Sequence, residues 1–182
     1  MRSYATFSLV IAAGLIMLAA STAGGETMKL SSEAFKDGEK IPIQYVMPGA
    51  GGKNVSVPLT WVNPPAGTQS FALSMVDPHP VARNWVHWLV IDLPGAVNTL
   101  AAGASGKKMP AGAVELQNSF GELGYGGPQP PRGTGDHPYV VTIYALSVPR
   151  LDLPPNTGLA AFKKALEGKV LAQASITGYY GR

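Results

Sequence analysis

The sequence predicts a mainly β fold in one domain, and three observations carry that expectation. Apolar runs of strand length recur along the chain, they are rich in Val, Ile, Trp and Tyr, and Gly- and Pro-rich turn clusters close them. With 182 residues, 46% of them hydrophobic, the chain can bury one full core, so its 22 Gly and 16 Pro mark turns rather than disorder. The residues by themselves point to an all-β sandwich or barrel.

In chain order the first segment stands apart. "MRSYATFSLVIAAGLIMLAASTAGG" opens with one basic residue, Arg2, continues through an uncharged apolar run and reaches small residues at Ser21 and Ala23. That is the pattern of a secretory signal peptide cleaved after Ala23. Its apolar run, Phe7 to Ala20, is shorter than the roughly 20 residues of a membrane span. The expected division is a signal peptide at 1–23 and a domain at 24–182, periplasmic or secreted. The chain has no cysteine, so a lipid cannot be attached at the cleavage point and no disulfide supports the exported domain.

The strand candidates follow as "IPIQYVM" (41–47), "VSVPLTWV" (55–62), "SFALSMVD" (70–77), "WVHWLVIDL" (85–93), "YVVTIYALSV" (139–148) and "VLAQASITGYY" (170–180). Turn chemistry separates them at "PGAGG", "NPPAGTQ", "PGAVN" and "GGPQPPRGTG". One segment breaks the pattern: "NTGLAAFKKALEGK" (156–169) carries Leu159, Phe162, Ala165 and Leu166 at helical spacing. Asn156 or Thr157 is expected to cap this helix and Gly168 to end it, with the apolar stripe as a packing face.

Charge names no partner. The formal net charge is +3, only 14% of residues are charged, and Lys107-Lys108 and Lys163-Lys164 are the only basic doublets after the leader. A phosphate backbone needs a dense positive stripe, so nucleic acid is not expected.

Chemistry concentrates at the ends of three strand runs. Asp77 closes one run, and Pro78 and Pro80 stiffen the loop beyond it. In the next run strict alternation puts His87 on one face with Trp85, Leu89 and Ile91. The chain has only three histidines, and His137 stands where the Gly/Pro loop 126–135 meets a strand. Adjacent strands would bring Asp77 and His87 together, and the loop would deliver His137 to a pocket rim. Several readings stay open on the residues alone. Asp77 and His87 suit a satisfied structural pair. Two histidines and an aspartate also form the donor set of a facial-triad iron or catalytic zinc enzyme, although no helical motif such as H-E-x-x-H is present. Ser74, Ser119 or Thr134 could be a hydrolase nucleophile, with His137 as base near Thr134, but none lies in a G-x-S-x-G motif. An interaction module with an incidental pocket would rest on exposed loops such as "YVMPGAGG".

Two longer stretches resemble a known family. "DPHPVARNWVHWLVIDLP" and "GYGGPQPPRGTGDHPYVVTIYAL" are similar to the two signature regions of the phosphatidylethanolamine-binding proteins, which include the Raf kinase inhibitor proteins and bacterial relatives. "AFKDGEKIPIQYV", "NVSVPLTWVNPPAGTQSFAL" and "LAQASITGYYGR" extend the resemblance from about Leu30 to Arg182. It implies two antiparallel sheets in a Greek-key sandwich with short peripheral helices, and a small anion-binding cavity without metal or cofactor. By the same resemblance the carboxylate is Asp77, the histidines are His87 and His137, the aromatic wall is Trp85 and Tyr139, and the proline wall is Pro130 and Pro131. The implied function is non-enzymatic binding of a phospholipid headgroup or a phosphate- or carboxylate-bearing ligand, with regulation of a partner enzyme or peptidase inhibition known among relatives. Three positions depart from the family pattern: His79 replaces a second Asp, Pro138 replaces the Arg of a His-Arg-Tyr triplet, and "SVPLTW" replaces Ser-Pro-Pro-Leu-Ser-Trp. With Asp77 paired to His87, His137 would be the titrating anion anchor.

Overall fold

The computed structural model describes Met1 and residues 26–182. The signal-peptide reading at 1–23 therefore falls, Met1 apart, outside the described residues. The strands are β1 (Lys29–Ser31), β2 (Leu59–Val62), β3 (Ser70–Asp77), β4 (Trp85–Pro94), β5 (Thr99–Leu100), β6 (Val114–Glu115), β7 (His137–Leu146) and β8 (Val170–Tyr180), with one α-helix, α1 (Leu159–Leu166), between the last two strands. They form a three-stranded sheet, β1-β2-β5, and a five-stranded sheet, β6-β4-β3-β7-β8. Each strand pair is antiparallel. A long connection carries the chain from β4, on one side of β3, to β7 on the other, so segments far apart in sequence meet around β3.

Alternation along β3 and β7 explains the two packed layers. Phe71, Leu73 and Met75 share one face of the sheet with Val141 and Ile143, and they pack against Leu30, Leu59, Trp61 and Leu100 of the smaller sheet. Trp61 and Phe71 meet edge to face at 5.3 Å. On the opposite face Ala72, Leu89, Ile91 and Leu146 are covered by Phe162 and Leu166 of α1. The inward face of β3 ends in Asp77 and that of β7 begins with His137 and Tyr139, which brings polar groups to one end of the apolar core.

Three local expectations are corrected. The run 41–47 is not a strand: Ile43–Tyr45 form a 3-10 turn, in which Tyr45 N–H donates to the Pro42 carbonyl at 3.0 Å. Pro42 has no N–H to give to a ladder, and the turn still buries Ile41, Tyr45 and Val46 in the core. The helix is capped by Gly158 rather than Asn156 or Thr157, because the Thr157 hydroxyl bonds back to the Pro154 carbonyl at 2.6 Å. Gly168 has φ of 70°, the left-handed geometry expected just past the helix end. Finally, β4 does not alternate strictly. Met75 pairs with Trp88 but Val76 with Val86, leaving His87 as the extra residue of a bulge. Leu89 and Ile91 therefore join Val86 under α1, while His87 turns away from them.

Candidate functional site

One cavity of about 190 Å³ opens at the polar end of the core, lined by Asp77, Val81, Ala82, Trp85, His87, Phe120, Gln129, Pro130, Pro131, His137 and Tyr139. All seven residues singled out from the sequence face it. The loop before β7 folds around it under tight steric control. A Cβ on Gly127 would lie 2.2 Å from the Tyr45 carbonyl oxygen, and one on Gly126 would lie 2.5 Å from the Phe120 ring, so neither position accepts a side chain without rearrangement. Asn54 accepts from Gly127 N–H at 2.7 Å, and Arg182 donates to the carbonyls of Pro130 at 2.5 Å and Gly49 at 2.8 Å, fixing the proline wall from behind.

The pairing inside the site differs from the sequence expectation. Asp77 bonds His137, not His87: His137 Nδ1–H donates to Asp77 Oδ2 at 2.6 Å, and His79 N–H donates to Asp77 Oδ1 at 2.9 Å. The bulge accounts for this, because it directs His87 to the Gly126 carbonyl, to which its Nδ1–H donates at 2.6 Å. Gly126 N–H returns a bond to the His87 carbonyl at 2.8 Å. His137 is fully buried at the cavity floor rather than standing on its rim, and the rim belongs to Trp85, 39% exposed, and Val81, 52% exposed. His79 stacks on His137 with ring centroids 3.8 Å apart.

These bonds set the protonation of the floor. The Gly126 carbonyl only accepts, so the proton of neutral His87 resides on Nδ1, and Nε2 presents a lone pair toward the cavity. Burial lowers the His87 pKa from 6.5 to about 4, against the opposing pull of the Gly126 carbonyl and the Asp77 charge. Tyr139 is held neutral, because burial and the Asp77 carboxylate raise its pKa well above the ordinary phenol value. Its ring meets His87 edge to face at 4.9 Å, and its hydroxyl is buried with no hydrogen-bond partner.

The hydrolase alternative gains one contact: Thr134 Oγ1 lies 2.9 Å from His137 Nε2, extending a carboxylate–imidazole–hydroxyl chain. Thr134 has a single hydroxyl proton, however, and the Pro131 carbonyl competes for it at 2.8 Å. Thr134 also lies outside the cavity lining. For the metal alternative, among the described residues no group of three His, Cys, Asp or Glu side chains converges to hold an ion. His137 shows why, since both of its ring nitrogens already have partners. Sequence reasoning missed Phe120, which lies in an irregular loop with no strand or motif signal, and Arg182, which reaches the site from the far end of the chain.

Comparison with known proteins agrees with this architecture. The sequence pattern of the phosphatidylethanolamine-binding protein family matches residues 31–181. The UPF0098 protein of Aquifex aeolicus (strain VF5) is 40% identical over 161 residues, which cover 88% of this chain and 92% of that protein. The crystal structure of Escherichia coli YbcL, described there as a member of the mammalian PEBP family, superposes with a TM-score of 0.81 at 34% identity, covering 86% of this chain and 99% of that one. A Mycobacterium tuberculosis relative that carries a lipoprotein name, LppC, is 41% identical over 156 residues, covering 85% of this chain and 73% of that protein. With two antiparallel sheets and one α-helix among the described residues and a family match over most of its length, this chain belongs to the phosphatidylethanolamine-binding protein family.

Proposed function

We propose that the domain is an exported, non-enzymatic binding protein whose cavity receives the phosphate- or carboxylate-bearing head of a small ligand. The observation that supports this most is the cavity itself, where the buried polar side chains of Asp77, His87 and His137 converge beneath an apolar rim. The imidazole groups suit an oxygen-rich head, and the apolar rim of Trp85, Val81 and Phe120 suits the rest of the ligand. Export rests on the leader pattern at 1–23, and the lipoprotein name of the LppC relative points the same way. Among the described residues no helix is long and apolar enough to cross a membrane.

Ala82→Trp tests the reading because it fills the cavity from a half-buried position outside the core. Filling the cavity should weaken binding of phenyl phosphate by at least about tenfold, and a substitution outside the core should leave the stability of the ligand-free protein within about 0.5 kcal/mol. Calorimetric titration with urea unfolding reads both. Unchanged affinity in the folded variant would place binding outside the cavity and defeat the proposal.

A further inference from the structure

Part of the cavity rim is carried by the short turn between β3 and β4, and His79, half-buried and outside the cavity lining, holds the start of that turn. Its carbonyl accepts from Ala82 N–H at 2.8 Å and Arg83 N–H at 2.9 Å, and its ring Nδ1 accepts from Val81 N–H at 3.3 Å. A backbone amide can only donate, so Nδ1 carries a lone pair here and the ring proton sits on Nε2. The turn then leaves through two consecutive non-glycine residues in the left-handed region, Arg83 with φ of 53° and Asn84 with φ of 62°. Asparagine accepts that conformation readily and arginine does not, so the turn depends on its bonds. Val81 and Ala82, the residues held in this way, line the cavity together with Trp85.

An acceptor two residues before its donor is the arrangement of an Asx turn, which Asp or Asn at position 79 would form with a side-chain oxygen. His79 fills the same role with a group that ceases to accept once it gains a proton. Protonated Nδ1–H would confront Val81 N–H, donor against donor. The ring is also stacked on His137, with centroids 3.8 Å apart and planes 20° from parallel, where two imidazolium groups would repel each other. Pro78 and Pro80 stiffen the backbone on both sides of His79, so a change at the ring is passed to the turn.

We propose that His79 is the positioning residue of the cavity rim, and that its protonation releases residues 80–84 and opens the cavity to exchange. The release needs no ligand, whereas its effect on ligand exchange rests on the binding function proposed above. The titratable groups that contact His79 from other elements are the Asp77 carboxylate of β3, which accepts from His79 N–H at 2.9 Å, and His137 of β7. The Asp77 bond precedes the turn and is kept in both states. Arg83, on the turn itself, is exposed and forms no ion pair among the described residues.

Trp85 reports on the rim, because it is 39% exposed while Trp61 and Trp88 are fully buried. Acrylamide quenching of tryptophan fluorescence is followed from pH 7.5 to pH 5, where histidine gains its proton, on the parent, His79→Asn and His79→Ala, with near-UV circular dichroism reading the core at each pH. Losing one hydrogen bond shifts the ratio of open to latched rim by about tenfold, so the quenching constant of the parent should rise about twofold on acidification. His79→Asn keeps an acceptor that does not titrate and should hold the low value throughout. His79→Ala has no acceptor and should show the high value throughout. A flat parent, an equal rise in His79→Asn, or a low value in His79→Ala at pH 7.5 would each overturn the proposal. If His79→Ala fails to fold, the parent and His79→Asn decide alone. Phenyl phosphate should leave the parent about tenfold faster than it leaves His79→Asn at pH 5, with equal rates at pH 7.5. Equal rates at pH 5 would overturn the gating role. Absence of phenyl phosphate binding at every pH would defeat the cavity reading instead, and the quenching series would still decide the release of the rim.

Discussion

The buried neutral His87 should make the ligand-free protein lose stability on mild acidification in a way that one substitution removes. In the folded state its pKa is about 4 against 6.5 for the free side chain, so between those values the unfolded chain binds a proton that the native protein does not. Stability therefore rises with pH across that window, is undiminished by this residue above 6.5, and has lost the full contribution below about 4. At 1.36 kcal/mol per pKa unit the loss is about 2 kcal/mol at pH 5 and about 3 kcal/mol at full protonation. With a urea dependence of about 2 kcal/mol per M, the midpoint should fall by about 1 M between pH 7 and pH 5 because of His87 alone. The comparison protein is His87→Asn, whose amide can still donate to the Gly126 carbonyl but does not titrate. Subtracting its pH profile from that of the parent isolates the contribution of His87. A difference near 2 kcal/mol at pH 5 is expected. Parallel profiles would mean that His87 is solvated or paired in the native state, and the donor assignment of the cavity floor would fall with it.

Two further outcomes follow from the pairing in the site. Asp77→Ala leaves the buried Nδ1–H of His137 without an acceptor, so it should cost about 1–3 kcal/mol in urea unfolding as well as binding. An unchanged midpoint would show that this pair does not support the fold. The wild-type protein should not turn over p-nitrophenyl acetate above the rate of free imidazole, because the Thr134 proton is shared with the Pro131 carbonyl. Turnover that disappears in Thr134→Ala would restore the hydrolase reading.

The strands with dense β-branched and aromatic residues were legible, and the runs at 70–77 and 170–180 coincide with β3 and β8. The seven site residues were legible as well, because two family-like segments carry all seven within strands or strand-flanking loops. What the sequence did not show is where periodicity is interrupted. The bulge at His87 leaves no mark in a run that reads as continuous alternation, yet it decides which histidine meets Asp77. That one extra residue exchanges the expected roles: His137 is tied to the carboxylate, and His87 becomes the neutral, titration-sensitive group. Pro42 similarly turns an apolar run into a 3-10 turn without changing which side chains are buried. Long-range partners such as Arg182 and Asn54 have no local signal, since each contributes through backbone carbonyls or amides brought near only by the fold.

The most direct test of the central claim is a crystal structure of the protein soaked with phenyl phosphate at pH 5. The expected result is the phosphate inside the cavity lined by Asp77, His87 and His137, with an oxygen within hydrogen-bond reach of the His87 ring and the phenyl ring against Trp85. Phosphate bound instead beside Lys53, Lys107 and Lys108, which line a separate polar hollow, and not in the cavity, would contradict it.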